Sequence, residues 1–323
     1  MPVPGRPPAP SFDATLARMF RRRGVDTLPA HLEAAFGIAA TRVQQLDVGV
    51  FRVDRRPGTP VLARLFSARR AHAAVLGDLA VLEQLGAAGF PAERPFGSEP
   101  VSRHDGQSVL VTHFVRASPR AAWPTGDPVA ALGALIGRLH LGARPSGAAD
   151  RPAGALHHYA EGSPADELSA ARRWLRDIEP RVAAADLDAL EVLRRALAGA
   201  DDGAGLPEAF VHPDPVPKNT VFTADGPVLV DWAGAGRGPR LASLALVLRS
   251  TWAGPAFMRG YAAAVELDAE ERARAVELLM TRALIDIAFR VCREPARVRQ
   301  QVRGLGGVRR RTAALAAAAL AGA

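Results

Sequence analysis

The stretch Val211–Trp232, VHPDPVPKNTVFTADGPVLVDW, restricts what this chain can become more than any other part of it. Two short apolar segments, Val221-Phe222 and Val228-Leu229-Val230, flank the turn residues Ala224-Asp225-Gly226-Pro227, which reads as two antiparallel strands joined by a turn. Asp214 precedes the first strand, Asn219 stands at its mouth and Asp231 ends the second. Antiparallel pairing returns Asp231 to the end where Asp214 and Asn219 lie, so the three side chains come within reach of one ligand. Their oxygens are hard donors of the kind Mg²⁺ takes, its shell completed by water and by phosphate oxygens of a substrate. Phosphoryl transfer is the chemistry such a set serves. Any one of the three alone would more simply be a turn residue or a helix cap; the joint placement carries the reading.

The spacing His212-x-Asp214-x-x-x-x-Asn219, then an apolar hairpin, then Asp231 followed by Trp232, resembles the catalytic loop and metal-binding aspartate of protein-kinase-like enzymes. It is particularly similar to the aminoglycoside phosphotransferase family of small-molecule kinases, whose loop usually reads His-Gly-Asp-x-His-Pro-x-Asn. The resemblance implies that Asp214 takes a proton from a substrate hydroxyl, that Asn219 and Asp231 hold Mg²⁺, and that His212 braces the loop. It also implies a two-lobed α+β fold of the protein-kinase type, with a small antiparallel-sheet N-lobe and a larger, mostly helical C-lobe. The phosphoryl donor would be ATP or another nucleoside triphosphate. On this resemblance residues 1–40 are a leader and N-terminal helices, 41–116 the nucleotide-binding N-lobe, and 117–323 the C-lobe with catalytic loop, metal site and acceptor pocket.

Bulk properties narrow the alternatives. At 323 residues, 48% hydrophobic and 23% charged, the chain allows about two domains and a substantial core. A single cysteine, Cys292, excludes an internal disulfide framework, offers nothing from which a cysteine zinc site could be built, fits a reducing compartment, and is expected as a small buried apolar residue. The opening MPVPGRPPAPSF lacks the apolar core of a signal peptide, and no stretch reaches the ~18 apolar residues of a membrane span, which points to the cytoplasm. Net charge +8 raises the question of nucleic acid. The positive charge is nearly all arginine, spread over segments that also carry acids, and no basic stripe interleaves with stacking aromatics, so no nucleic-acid partner is expected. The one lysine of the chain, Lys218, stands beside Asn219, where it could reach a transferred phosphoryl group or simply be solvated.

Upstream, Leu16, Met19 and Phe20 mark an apolar face of N-terminal helices. Short strands are expected at 43–46, 50–53 and 61–66, with Gly49 in the position of a nucleotide-covering loop, although one glycine is not a Gly-rich loop. Strand alternation puts Leu62, Arg64 and Phe66 on one face. The resemblance places Arg64 where the family has a lysine that pairs with phosphates, and Asp78, on a helix over about 68–85, where it has the glutamate bracing that lysine. The Arg64–Asp78 pair is either a compensated exchange or a missing bridge. The apolar run Ser108–Val115 resembles the last small-lobe strand and hinge: backbone groups of His113, Phe114 and Val115 would meet an adenine edge, with Thr112 deeper and the His113 side chain turned out.

Asp127-Pro128 caps a helix whose Leu132, Leu135, Ile136 and Leu139 repeat at helical spacing and which ends at His140, expected as a packed structural residue. A Gly, Pro and Ala-rich connection carrying His157-His158 leads to further helices. After Asp231, Gly234, Gly236 and Gly238 imitate a dinucleotide fingerprint, but Pro239 closes the run and no alternating strand–helix series surrounds it. Ser243 occupies the place of an acid that, in the family, steadies the catalytic loop. Asp268 and Glu271 suggest a helix cap, and arginines from Arg293 to Arg311 a solvated basic C-terminus that argues against a polycationic acceptor. The departures at Gly49, Arg64, Asp78 and Ser243 leave a second reading open, a weak or inactive nucleotide-binding regulator.

Overall fold

The structure, a computed structural model, describes residues 11–154, 163–250 and 254–321. The first ten residues and His157-His158 lie outside these, as does the side chain of Met19. Two N-terminal helices, α1 (Phe12–Phe20) and α2 (Leu28–Phe36), precede strands β1 (Ala40–Asp47), β2 (Val50–Arg55) and β3 (Val61–Leu65). Helix α3 (His72–Ala87) and strands β4 (Val101–His104) and β5 (Gln107–His113) follow. The five strands form one antiparallel sheet of order β1-β2-β3-β5-β4. On β3 the pattern alternates: Val61, Ala63 and Leu65 are buried beside Leu28 and Leu32 of α2, while Leu62 and Arg64 turn to the other face. The helix expected from residue 68 starts at His72.

The larger lobe is mostly helical: α4 (Pro128–Gly142), α5 (Pro164–Asp177), α6 (Leu187–Ala198), α7 (Arg240–Ser250), α8 (Gly254–Ala262), α9 (Ala269–Arg293), α10 (Val298–Arg303) and α11 (Leu305–Leu320). Its strands pair in twos, β6 (Glu208–Val211) with β9 (Gly236–Pro239) and β7 (Thr220–Thr223) with β8 (Gly226–Leu229). The expected hairpin is β7–β8, with the tighter turn Ala224-Asp225 because Pro227 joins the ladder opposite Phe222. Strands β4, β6 and β9 were not anticipated. The glycine run after Asp231 forms β9, antiparallel to β6, and feeds α7 at Arg240, so it is no dinucleotide loop. Asp127 caps α4 by accepting from the Val129 N–H, and Asp268 and Glu271 form a reciprocal capping box on α9. Helices α4 and α8 approach so closely that a methyl at Gly133 or Gly260 would collide with the Phe257 or Ala130 carbonyl across the contact.

The N-terminal helices divide their loyalties. Phe12 of α1 is 2% exposed and packs edge-on against Trp174 of α5 and Phe289 of α9 in the large lobe, whereas α2 closes the small-lobe sheet. Cys292 is buried in that same large-lobe cluster, and burial pushes its thiol up to about 12, as expected of an inert apolar residue. The basic C-terminal segment is ion-paired at several points: Arg299 with Asp186, Arg309 with Glu277 and Arg297 with Glu294. Among the described residues no helix is long and apolar enough to cross a membrane.

Candidate active site

Between β6 and β7 the chain makes a tight loop whose polar groups satisfy one another. The Asp214 carbonyl accepts from the Val216 N–H at 2.8 Å, and the Asn219 N–H returns to the Val216 carbonyl at 2.9 Å. The Asn219 carboxamide donates to the Asp214 carbonyl and to Asp214 Oδ2, both at 2.9 Å, so Asn219 and Asp214 are locked together. Lys218 Nζ lies 3.2 Å from Asp214 Oδ2, but its side chain is 69% exposed, and a pair so hydrated adds little to stability.

His212 bonds the loop at one ring nitrogen and the end of the hairpin at the other. Its Nδ1 accepts the Asp214 N–H at 3.1 Å and its Nε2 lies 3.0 Å from the Val230 carbonyl. With Nδ1 an acceptor, the ring proton sits on Nε2 and the imidazole is neutral, tying the loop to the strand that carries Asp231. Trp232, 1% exposed, packs edge-on against His212 and donates from Nε1 to the Leu229 carbonyl. Ser243 Oγ reaches the His212 carbonyl only at 3.5 Å, a weak substitute for the missing acid.

Asp231 adopts φ 70°, a left-handed backbone uncommon for a residue with a side chain and costing of order 1–3 kcal/mol. The flanking Val230 N–H donates to the Asn219 carbonyl at 3.0 Å, which brings both candidate metal residues to one end of the hairpin. Above them Arg64 Nη1 contacts Asp231 Oδ1 at 2.8 Å. Burial opposes the Arg64 charge, but Asp231 and Glu93 outweigh it and hold its pKa above the ordinary arginine value.

The expected Arg64–Asp78 pair does not form. Asp78, 1% exposed, accepts from Arg70 Nη2 at 3.0 and 2.7 Å, from Arg151, and from the Gly234 N–H at 2.9 Å. The aspartate is one methylene shorter than glutamate and is held by nearer partners; it ties α3 to the segment after Asp231. Glu93 stands beside Arg64 instead, at 3.8 Å.

The cleft between the lobes is lined by Arg22, Asp47, Arg64 and Arg70 on one side and by Lys218, Asn219 and Asp231 on the other. Gly49 has φ 71°, and the Leu65 carbonyl and Arg22 guanidinium lie where a side chain would begin, so only glycine fits. Arg22 Nε donates to that carbonyl at 2.6 Å. At the hinge, the His113 N–H goes to the Arg94 carbonyl at 2.8 Å and the Phe114 N–H to the Pro60 carbonyl at 3.2 Å, so of the backbone groups expected to meet an adenine edge these two N–H groups are already bonded. The His113 side chain is exposed against Phe96, and Thr112 is 2% exposed. Leu62, half-buried, pairs with Thr112 across the sheet.

A second pocket, about 560 Å³, opens beside His212 and Pro213, with Ala242, Leu246, Leu278 and Ile285 on its walls. Its charged pair is Glu167–Arg282 at 3.1 Å; burial raises the Glu167 carboxyl pKa against the pull of Arg282. His140 is packed as expected: Nδ1 lies 3.0 Å from the Tyr261 hydroxyl, and burial together with Arg240 pushes it down to about 3.

Sequence reasoning missed Glu93, Arg70, Arg151 and Arg22, none of which belongs to a motif. The available signal was physical: Arg64, turned into a cleft, needs an acid, and Asp78 is short for the task.

A sequence model of the phosphotransferase enzyme family matches residues 44–276, which include every site residue from Gly49 to Asp231. No curated protein sequence matches the chain. Among solved structures, an amicoumacin kinase in complex with AMP-PNP and Ca²⁺ is similar with a TM-score of 0.61 at 16% identity, over 88% of this chain and 92% of that one. A microcompartment-associated aminopropanol kinase gives 0.58 at 13% identity over 91% and 99%. A choline/ethanolamine kinase family protein from Mesorhizobium loti gives 0.56 at 20% identity over 92% and 98%. At these identities the likeness extends to the fold, a two-lobed α+β architecture of the kinase type.

Proposed function

Because the chain belongs to the phosphotransferase enzyme family, we propose that it transfers the γ-phosphoryl group of a nucleoside triphosphate, ATP in the first instance, to a hydroxyl of a small molecule, with Mg²⁺ held by Asn219 and Asp231. The observation that carries the reading is the junction of Asp214, Asn219 and Asp231 at one end of the β7–β8 hairpin, under Arg64.

The donor set fits the ion. Asp231 offers a carboxylate 25% exposed and Asn219 a carboxamide oxygen, both hard donors. Two protein donors leave the rest of the shell to water and to phosphate oxygens of the nucleotide, the usual pattern for Mg²⁺. When bound, the cation neutralises charge on the transferring phosphoryl group.

Asp214 orients the acceptor hydroxyl and takes its proton onto the carboxylate as the oxygen–phosphorus bond forms and the bond to the β-phosphate oxygen breaks. His212, neutral and held at both ring nitrogens, keeps the Asp214 backbone in place without competing for that proton. Arg64, Arg70, Arg22 and Lys218 line the cleft and supply positive charge for a triphosphate. Catalysis of this kind is mostly positioning and electrostatics.

The acceptor enters beside Pro213. The apolar walls there, and a Glu167 already neutralised by Arg282, support a neutral, hydroxyl-bearing molecule over a polycation.

Thermal unfolding with and without Mg²⁺-ATP tests the reading. The midpoint of the wild type should rise at millimolar nucleotide, and the rise should vanish in Asp231→Ala. No rise in the wild type removes the nucleotide site and with it the kinase reading, in favour of a regulator on a remnant fold.

A further inference from the structure

Residues 91–96 run between the two lobes and are stitched to both. On the large-lobe side the Pro91 carbonyl accepts the Leu229 N–H at 3.1 Å and Ala92 bridges to Leu229 of β8. On the small-lobe side the Arg94 carbonyl accepts the His113 N–H, the Phe96 N–H reaches Val111, and Pro95 bridges to Thr112 of β5. Glu93 stands at the crossing, 3% exposed.

A carboxylate so buried needs partners, and Glu93 has one from each structural unit. Its Oε2 accepts the Thr112 hydroxyl at 2.9 Å, which fixes the rotamer. Its Oε1 accepts the Asp231 N–H at 3.0 Å and lies 3.8 Å from Arg64. That N–H belongs to the residue at φ 70°, so the bond falls on the one strained peptide of the site. Asp78 is hydrogen-bonded to Arg70, Arg151 and Gly234 and acts on Arg64 only through its charge, behind Asp231 and Glu93.

We propose that Glu93 is a positioning residue for the cation site: it holds Asp231 in its left-handed conformation and shares the Arg64 charge, so that Asp231 can leave Arg64 for a metal. Without the Glu93 charge, Arg64 leans harder on Asp231, its nearest counterion at 2.8 Å, and competes with the cation for it. The inference rests on the proposed metal role of Asp231.

The experiment titrates Mg²⁺ at fixed ATP and reads the unfolding midpoint of wild type, Glu93→Gln, Thr112→Val, Arg64→Gln and the Arg64→Gln/Glu93→Gln double variant, with ligand-free midpoints as the reference. Glu93→Gln retains an acceptor for the Asp231 N–H and loses only charge. Its Mg²⁺ requirement should rise roughly 10–100-fold, the usual effect of removing a partner that orients a metal ligand. Thr112→Val, which frees the Glu93 rotamer, should shift the requirement in the same direction by less and serves if Glu93→Gln does not fold. In the Arg64→Gln background the Glu93→Gln penalty should largely disappear, a coupling that a merely structural role would not produce.

A wild-type rise that Glu93→Gln reproduces at the same Mg²⁺ concentration overturns the proposal and leaves the kinase reading intact. A fall in ligand-free midpoint with an unchanged Mg²⁺ requirement overturns it too. Absence of any rise in the wild type removes the reading and the proposal together.

Discussion

Replacing Asp78 with alanine separates two accounts of the small lobe. If Asp78 braced Arg64, its loss would weaken nucleotide binding; the structure assigns it to folding instead. Arg70 and Arg151 have side chains only 7% and 12% exposed and share this one carboxylate, itself 1% exposed. Removing one partner of a buried ion pair costs ~3–5 kcal/mol, because the remaining charge stays buried and uncompensated. Arg151 keeps bonds to the Ala74 and Ala235 carbonyls, which holds the expected cost within that range and not at twice it. Against a total stability of ~5–15 kcal/mol this is a large fraction. At roughly 2 °C per kcal/mol, the low end for large domains, the midpoint should fall by about 6–10 °C. Urea unfolding followed by tryptophan fluorescence measures the loss, and the Mg²⁺-ATP-induced rise is measured on the same variant below its new midpoint. Stability should drop while the nucleotide response persists. A variant as stable as the wild type that no longer responds to nucleotide would refute the reasoning and return Asp78 to Arg64.

Asp214→Asn preserves side-chain shape, keeps one side-chain oxygen to accept from the Asn219 carboxamide and removes the charge from an exposed lysine pair, so the fold and nucleotide binding should persist. Phosphoryl transfer to an acceptor found by screening should fall by ~10²–10⁴-fold, equivalent to ~2.7–5.5 kcal/mol in the barrier; equal turnover would take Asp214 out of its role. His140, held down to about 3 by burial and by Arg240, binds a proton below about 6.5 in the unfolded chain but not in the folded one. Its contribution therefore makes stability rise with pH between those values, and lowering the pH from 7.5 to 5.0 should cost the wild type about 2 kcal/mol more than His140→Gln in urea unfolding. Equal losses in the two proteins would place the titration elsewhere.

The hairpin and the approach of Asp214, Asn219 and Asp231 were legible because their spacing is local. Asp214, Asn219 and Asp231 lie within one short stretch, and the strand period alone returns the last to the first two. The capping residues Asp127, Asp268 and Glu271 were legible for the same reason. Partners across long sequence separations were not. Arg64 meets Asp231 over 167 residues and Glu93 meets Asp231 over 138, contacts that no periodicity encodes. Glycines misled in one place and informed in another: Gly234, Gly236 and Gly238 imitate a phosphate loop but lead into β9, whereas Gly49 is required by the close approach of Leu65 and Arg22. Strands β6 and β9 escaped notice because each has four residues and β9 reads Gly-Arg-Gly-Pro, with no strand former in it.

The divided attachment of the N-terminus makes it a tether across the cleft. Helix α1 is anchored in the large lobe through Phe12 and α2 in the small lobe through Leu28 and Leu32. In the segment between them, Arg22 is bonded to Leu65 and Arg23 to Gln107. Opening the lobes therefore lengthens the path between two anchors on one short piece of chain, and the weaker anchor must yield. Were the lobes to move apart, the Phe12 anchor would feel it, and by linkage anything that favoured a closed cleft would also favour the seating of Phe12 among Trp174 and Phe289.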